Sequence, residues 1–217
     1  DQGIRCLGFP GGHGIFYFVP DPGGQTAIGK RLVNWGLYLP VPARDLNDFM
    51  TGRDGRRHEG SLPPGSMPPG TEQRLKAMAR DRLPTYYADI VDKAENTFAY
   101  AIYDCMVPAY VRGRICLAGD AGAFARPHSA AGALKAMNDA ITLGDALSSA
   151  ASVDRALEHW SLDRTEVNNG LVLLGQQLGR ALVTDIPDWS DMNAASMASW
   201  FTSIVTVKAE KFERARR

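Results

Sequence analysis

Three features of these 217 residues predict an α/β (α+β) fold that opens on a β-sheet and closes on long helices. Aromatic and β-branched runs separated by Gly/Pro loops fill residues 1–40. A short apolar run ends at Gly119-Asp120. Alanine- and leucine-rich segments follow almost to the end of the chain. There is no internal repeat or low-complexity tract.

The elements are expected in the following order. Gly14-Ile-Phe-Tyr-Phe-Val-Pro20 and Arg31-Leu-Val-Asn-Trp-Gly-Leu-Tyr-Leu39 have strand composition and flank a Pro-Asp-Pro-Gly-Gly loop, so they read as an antiparallel pair. Residues 52–70, dense in Gly and Pro, read as an irregular loop. A helix over 71–83 would take Thr71 as its N-cap and end at Pro84. Residues 96–106 read as a further strand. The run from Val111 to Asp120 reads as a short buried strand of parallel type. Helical composition spans 130–150 and 153–183, Pro187 ends the latter, and a last amphipathic helix is expected over 192–212.

Composition narrows the function. Hydrophobic residues make up 45% and charged residues 22%, which suffices for an ordinary buried core. Lys plus Arg equal Asp plus Glu at 24 each, and neutrality argues against a nucleic-acid or anionic-membrane partner. Arg53, Arg56, Arg57 and the terminal Glu-Arg-Ala-Arg-Arg are read as solvated local runs. No stretch nears the roughly 20 apolar residues of a membrane span, and no signal-peptide pattern is present. Cys6, Cys105 and Cys116 are odd in number and lack CxxC spacing, so a reduced, cytoplasmic setting is expected, with Cys116 a buried thiol. His13, His58 and His159 have no metal-ligand spacing, and no GxSxG elbow supports Ser-His-Asp hydrolysis. The start at Asp1-Gln-Gly-Ile-Arg, without an initiator methionine, reads as a processed, cloned or truncated product.

The segment Arg114-Ile-Cys-Leu-Ala-Gly-Asp-Ala-Gly-Ala-Phe-Ala-Arg-Pro-His-Ser-Ala-Ala-Gly-Ala-Leu-Lys-Ala-Met-Asn-Asp-Ala140 carries the chemistry. Asp120 would lie just past a strand's carboxyl end, where ligands bind in open α/β sheets, and can accept hydrogen bonds from ligand hydroxyls. A loop through Arg126, Pro127 and His128 leads to a helix whose first turn would be Ala-Ala-Gly-Ala. Small residues there let a ligand approach the unpaired N–H groups, which favour negative charge. Taken singly, each piece has a plainer reading as a turn, a packed helix or a loop histidine.

In this order the pieces resemble the second flavin-binding motif of the para-hydroxybenzoate hydroxylase-like (group A) FAD-dependent aromatic hydroxylases. Gly119, Asp120 and Ala121 match its Gly-Asp-Ala, Pro127 its loop proline, Gly132 its helix-start glycine, and Asp139 its acidic residue before alanine. The runs Arg126-Pro-His-Ser-Ala-Ala-Gly-Ala-Leu-Lys-Ala, Asp45-Leu-Asn-Asp-Phe-Met-Thr-Gly-Arg-Asp-Gly55 and Lys30-Arg-Leu-Val-Asn-Trp35 are similar to the 2,6-dihydroxypyridine 3-monooxygenase subgroup. Two departures stand out. Gly122-Ala123 replaces a histidine that many members carry shortly after Gly-Asp-Ala, and no GxGxxG follows a strand, so the family's ADP-binding βαβ unit has no counterpart here.

The resemblance implies the C-terminal part of a monooxygenase with FAD as cofactor and NAD(P)H as reductant, hydroxylating a small aromatic or hydroxypyridine ring with O2. It implies a substrate-binding sheet domain over 1–106, a Gly-Asp strand, loop and helix of a Rossmann-like FAD-binding domain over 107–150, and C-terminal helices over 151–217. Gly119, Asp120, Ala121, Pro127, Ala131, Gly132 and Ala133 would bind the cofactor. The backbone N–H groups of Ala131, Gly132 and Ala133 would face its pyrimidine edge, and Tyr17, Tyr38 and His128 would line the substrate. Phe16 is read as core. The expected partners are an N-terminal FAD lobe outside this chain and, from the family's habit, a second copy in a homodimer. The other open reading is a non-catalytic binding or interaction module of the same fold.

Overall fold

The computed structural model describes residues 3–205. The terminal Glu-Arg-Ala-Arg-Arg run and the last part of the expected 192–212 helix lie outside them. The described residues form two compact units, one of residues 3–101 and 182–191, the other of residues 102–181 and 192–205.

The first unit is built on an antiparallel sheet of β1 (Arg5–Phe9), β2 (Gly12–Val19) and β3 (Leu32–Tyr38), with β2 in the centre. The expected pair is present, in the register Phe16↔Trp35 and His13↔Tyr38. Because side chains alternate along a strand, this register separates the sheet's residues by face. Phe16, Trp35 and Leu37 pack with Phe9 against Ala79, Leu83, Ala88 and Val91. These last four residues come from α2 (Pro69–Arg82), its end, and α3 (Thr85–Asp92). Phe16 is core, as its composition implied. His13, Ile15, Tyr17, Asn34, Gly36 and Tyr38 therefore share the opposite face.

Several boundaries differ from expectation. α2 starts at Pro69 with Pro68 as its N-cap, not at Thr71. Proline suits the first helical position, where its missing N–H would be unpaired anyway. The Thr71 hydroxyl instead accepts a bond from Arg74. Pro84 ends α2 as expected but also starts α3, and the short α1 (Ala43–Phe49) was not foreseen. The strand expected over 96–106 is only β5 (Ala99–Tyr100), paired with β4 (Ser61–Leu62) inside the expected loop. Beyond Tyr100, among the described residues, backbone pairing of this segment continues only as an Ala101 N–H bond to Gly60 and an isolated Cys105–Phe124 bridge.

The second unit holds β6 (Val111–Arg112), β7 (Ile115–Cys116), α4 (Gly132–Ser149), α5 (Val153–Gly179) and α6 (Ala194–Val205). α5 runs into one π-helical turn, Arg180–Thr184. Ser152 caps α5 by accepting the Arg155 N–H. The expected buried parallel strand is corrected here. β6 and β7 form a two-residue antiparallel hairpin, Ile115 is 76% exposed, and the Cys116 thiol is exposed rather than buried. Among the described residues no parallel strand pairs with β7, so its apolar side chains have nothing to pack on. The core of this unit is Tyr110, Ala123, Trp160 and Val172. No helix among the described residues is long and apolar enough to cross a membrane.

Candidate functional site

The second unit's site is built on the Gly-Asp turn. Gly119–Ala121 form one 3-10 turn closed by Gly122 and Ala123 N–H bonds to the Gly119 carbonyl. Gly119 sits at φ +57°, a left-handed conformation that a side chain would strain. Its N–H donates to Asp139 Oδ2 at 2.9 Å. Asp139 Oδ1 accepts from Asn168 Nδ2 at 2.7 Å, and the same amide donates to the Tyr110 hydroxyl at 2.8 Å. The Arg164 guanidinium lies 3.9 Å from Asp139 Oδ1. Asp139 is fully buried, and Asn168, Tyr110 and Arg164 nearly so. This charged cluster is tolerated because its carboxylate is bonded on both oxygens. Burial is the main cause that pushes the Tyr110 hydroxyl up to about 12, with the nearby Asp139 charge adding to it and the Asn168 bond opposing it.

Asp120 itself points outward, its side chain 62% exposed. It is the turn's one carboxylate, and the Lys135 ammonium lies 3.8 Å from its Oδ1. Pro127–Ser129 form a second 3-10 turn, and Ala130 is left-handed at φ 52°. α4 therefore begins at Gly132 with Ala131 as N-cap, two residues later than the Ala-Ala-Gly-Ala first turn expected. The Ala131 N–H lies 3.4 Å from Ser129 Oγ, so the unpaired donors of the helix start fall on Gly132, Ala133 and Leu134. No side chain caps this end, and a Cβ built on Gly132 would meet nothing within 4 Å. Packing among the described residues thus does not account for the glycine.

The Arg-Pro-His loop is anchored on α5. Arg126 Nε donates to Asp104 Oδ2 at 2.5 Å, and Gln176 Nε2 donates to Asp104 Oδ1 at 2.8 Å. Arg126 lies over Gly175 and Gly179, and His128 Cε1 would be 3.5 Å from a Cβ on Gly179. Burial alone would raise the Asp104 carboxyl. The bonds from Arg126 and Gln176 and the charges of Arg126 and Arg180 outweigh burial and hold its pKa below the ordinary value. A depressed folded pKa gives stability that is present above the unfolded pKa and lost as pH falls through the folded one. Asp104→Asn is therefore expected to flatten the acid side of the melting-temperature profile below about pH 4. Melts followed by circular dichroism would contradict this by showing an unchanged acid slope.

In the first unit, Tyr17 and Tyr38 share the sheet face turned away from the core, both half-buried. The Tyr38 ring stacks on His13 at 4.6 Å, and His13 Nδ1 lies 3.2 Å from the Leu182 carbonyl. Burial holds the His13 pKa below its ordinary value, against the opposing Leu182 bond, and burial raises that of Tyr38. Sequence reasoning overlooked His13 as a partner of Tyr38, and it overlooked Asn168, Arg164 and Tyr110. One signal was available: Trp160, Arg164 and Asn168 recur every four residues on a long helix, a polar stripe on a face that also carries apolar Val172.

Comparison with known proteins identifies the family. A family model described as FAD binding domain-like matches residues 3–104, and one described as FAD binding domain matches residues 65–173. The 2,6-dihydroxypyridine 3-monooxygenase of Paenarthrobacter nicotinovorans is 34% identical over 155 residues, covering 69% of this chain and 37% of that protein. The FAD-dependent monooxygenase sor5 of Hypocrea jecorina (strain QM6a) is 32% identical over 170 residues, covering 77% of this chain and 36% of the relative. The solved 2,6-dihydroxypyridine-3-hydroxylase from Arthrobacter nicotinovorans superposes with a TM-score of 0.72 at 24% identity, over 85% of this chain and 47% of that structure, a likeness of fold. The chain spans less than half the length of each of these proteins. With one FAD-binding model matched across half its length and the Gly-Asp turn built against α4, the chain belongs to the FAD binding domain family.

Proposed function

We propose that this chain is the part of an FAD-dependent monooxygenase that binds the flavin's ribityl and pyrimidine side and its ring substrate, hydroxylating an aromatic or hydroxypyridine ring with NAD(P)H and O2. The observation that carries this reading is the Gly119-Asp120 turn, held on α4 by Asp139 and ending in an outward carboxylate. The residues fit that half of FAD: a carboxylate for ribityl hydroxyls, an uncapped helix start for a partly anionic edge, and small residues at Ala131, Gly132 and Ala133. Pro127 would fix the loop that leads into α4. Bound FAD would supply electron transfer and O2 activation. The chain's own contribution is orientation and charge complementarity.

For the substrate we assign Tyr17 and Tyr38 on the first unit's sheet face opposite its core, where His13 stacks on the Tyr38 ring; in the second unit we assign His128, in the Arg-Pro-His loop, as a separate candidate. These supply aromatic walls with polar tips, the chemistry a hydroxylated ring needs. This assigns substrate binding to the 1–106 region and cofactor binding to 107–150, with the helices of 151–217 as support.

The adenosine and pyrophosphate end would be held by a lobe outside these 217 residues. Supporting this are the absent GxGxxG and an exposed apolar stripe on α4, where Leu134, Met137 and Ile141 are 61%, 61% and 57% exposed. Apolar surface of this kind marks an interaction face; the homodimer of the family would offer a second cover. The same absence favours the rival reading, a non-catalytic module. Flavin loading separates the two. Supplied in trans with the remainder of the Paenarthrobacter relative, the chain is expected to retain FAD and consume NAD(P)H with 2,6-dihydroxypyridine. Asp120→Ala is expected to release the flavin on gel filtration without lowering the melting temperature. Failure to load flavin under any complementation would leave the module reading standing.

A further inference from the structure

Lys135 lies one turn before Asp139 on the buried side of α4, and its side chain is 1% exposed. Its ammonium has no hydrogen-bond partner among the described residues. A buried, unbonded ammonium is costly, by several kcal/mol in order of magnitude, so its presence asks for a reason. Its ionic neighbour is Asp120, with Nζ 3.8 Å from Oδ1. Asp139 thus grips the backbone N–H of Gly119, while Lys135, four residues earlier, faces the carboxylate of the next residue. Asp139 is itself bonded by Asn168 and approached by Arg164, so it is committed to the turn's backbone and Lys135 to the turn's side chain.

We infer that Lys135 is a positioning residue for the cofactor site, acting through Asp120. It draws one carboxylate oxygen inward and leaves the other directed at ligand hydroxyls. Without it, an exposed carboxylate would sample several rotamers and lose that freedom on binding. This inference rests on the assignment of Asp120 to the flavin made above.

The test uses the full chain and two variants. Lys135→Met keeps length and removes the buried charge, and the partner left behind, Asp120, is 62% exposed and stays hydrated, so no uncompensated charge remains in the core. Three-bond couplings to the Asp120 carboxyl carbon are expected to report one χ1 rotamer in the parent and averaging in Lys135→Met, with the melting temperature unchanged or raised. Asp120→Asn, at an exposed side chain, provides a reading that does not threaten the core. In it the Lys135 ammonium protons are expected to exchange with water faster. FAD titrated into the complemented protein is expected to bind about tenfold more weakly in Lys135→Met, and Lys135→Met is expected to add no further loss in the Asp120→Asn background. An Asp120 rotamer unmoved by Lys135→Met, or a Lys135 signal indifferent to Asp120→Asn, would overturn the inference whatever the flavin does. Freed rotamers with unchanged FAD affinity would instead remove Asp120 from the cofactor site and leave the Lys135–Asp120 pairing intact.

Discussion

Asp139→Ala is expected to remove about 3–5 kcal/mol from the stability of the second unit, the usual cost of deleting one partner from a buried charged cluster. The Gly119 N–H loses its acceptor, and the Asn168 amide loses one of two, keeping the Tyr110 hydroxyl. The Arg164 guanidinium, 3.9 Å away, loses its buried counter-charge. The Gly119 N–H and the Asn168 amide cannot reach water in the folded state without opening the core, because Gly119 is buried and Asn168 is 1% exposed, whereas Arg164 keeps its pair with the largely exposed Asp163. Against a typical domain stability of about 5–15 kcal/mol, the loss is large enough to expose the Gly-Asp turn to proteolysis. Urea unfolding followed by circular dichroism measures it, and a loss under about 1 kcal/mol would mean that the cluster does not hold the turn. Asp139→Asn should fall between, since its carbonyl oxygen still accepts one bond while its amide faces a donor.

A second large effect is expected from Gly122→Ala. The backbone there, φ −87° and ψ −46°, is one that any residue adopts, so strain is not the issue. Space is. A Cβ would lie 2.3 Å from Tyr110 Cε1 and 2.4 Å from Cζ, both inside van der Waals contact. Tyr110 is 1% exposed, bonded through its hydroxyl to Asn168, and set edge-on to Trp160 at 5.7 Å. It cannot yield without breaking those contacts. Overpacking at such a site costs about 3 kcal/mol. Gly132→Ala is the control, because its Cβ meets nothing. A melting temperature for Gly122→Ala equal to that control would show that Tyr110 has room to move.

The contrast between these two glycines also measures what the sequence could reveal. Gly119 and Pro127 were legible because local chemistry demands their types, a left-handed turn and the start of a 3-10 turn, whereas no neighbour in the fold demands Gly132. The strand pair at β2 and β3 and the helices α4 and α5 were legible from composition and turn signals. Gly122 and Lys135 were not, since their meaning depends on Tyr110 and Asp120 brought close only by folding. The strand expected at 111–120 failed for a related reason. Its apolar run has the composition of a buried strand, but burial requires neighbours, and those among the described residues leave Ile115 76% and Leu117 37% exposed. Likewise Thr71 has the chemistry of an N-cap, yet Pro68-Pro69 pre-set the helix earlier. Local preference set the type of element; tertiary partners set its length and exposure.

The most direct test of the central claim, that this chain supplies the ribityl and pyrimidine side of an FAD site, is a fluorescence titration of FAD with the chain alone and with the complementing lobe. The account predicts no sub-micromolar binding by the chain alone, flavin retention once the lobe is present, and loss of that retention in Asp120→Ala. Sub-micromolar binding by the chain alone, or a complemented Asp120→Ala that keeps its flavin, would contradict it.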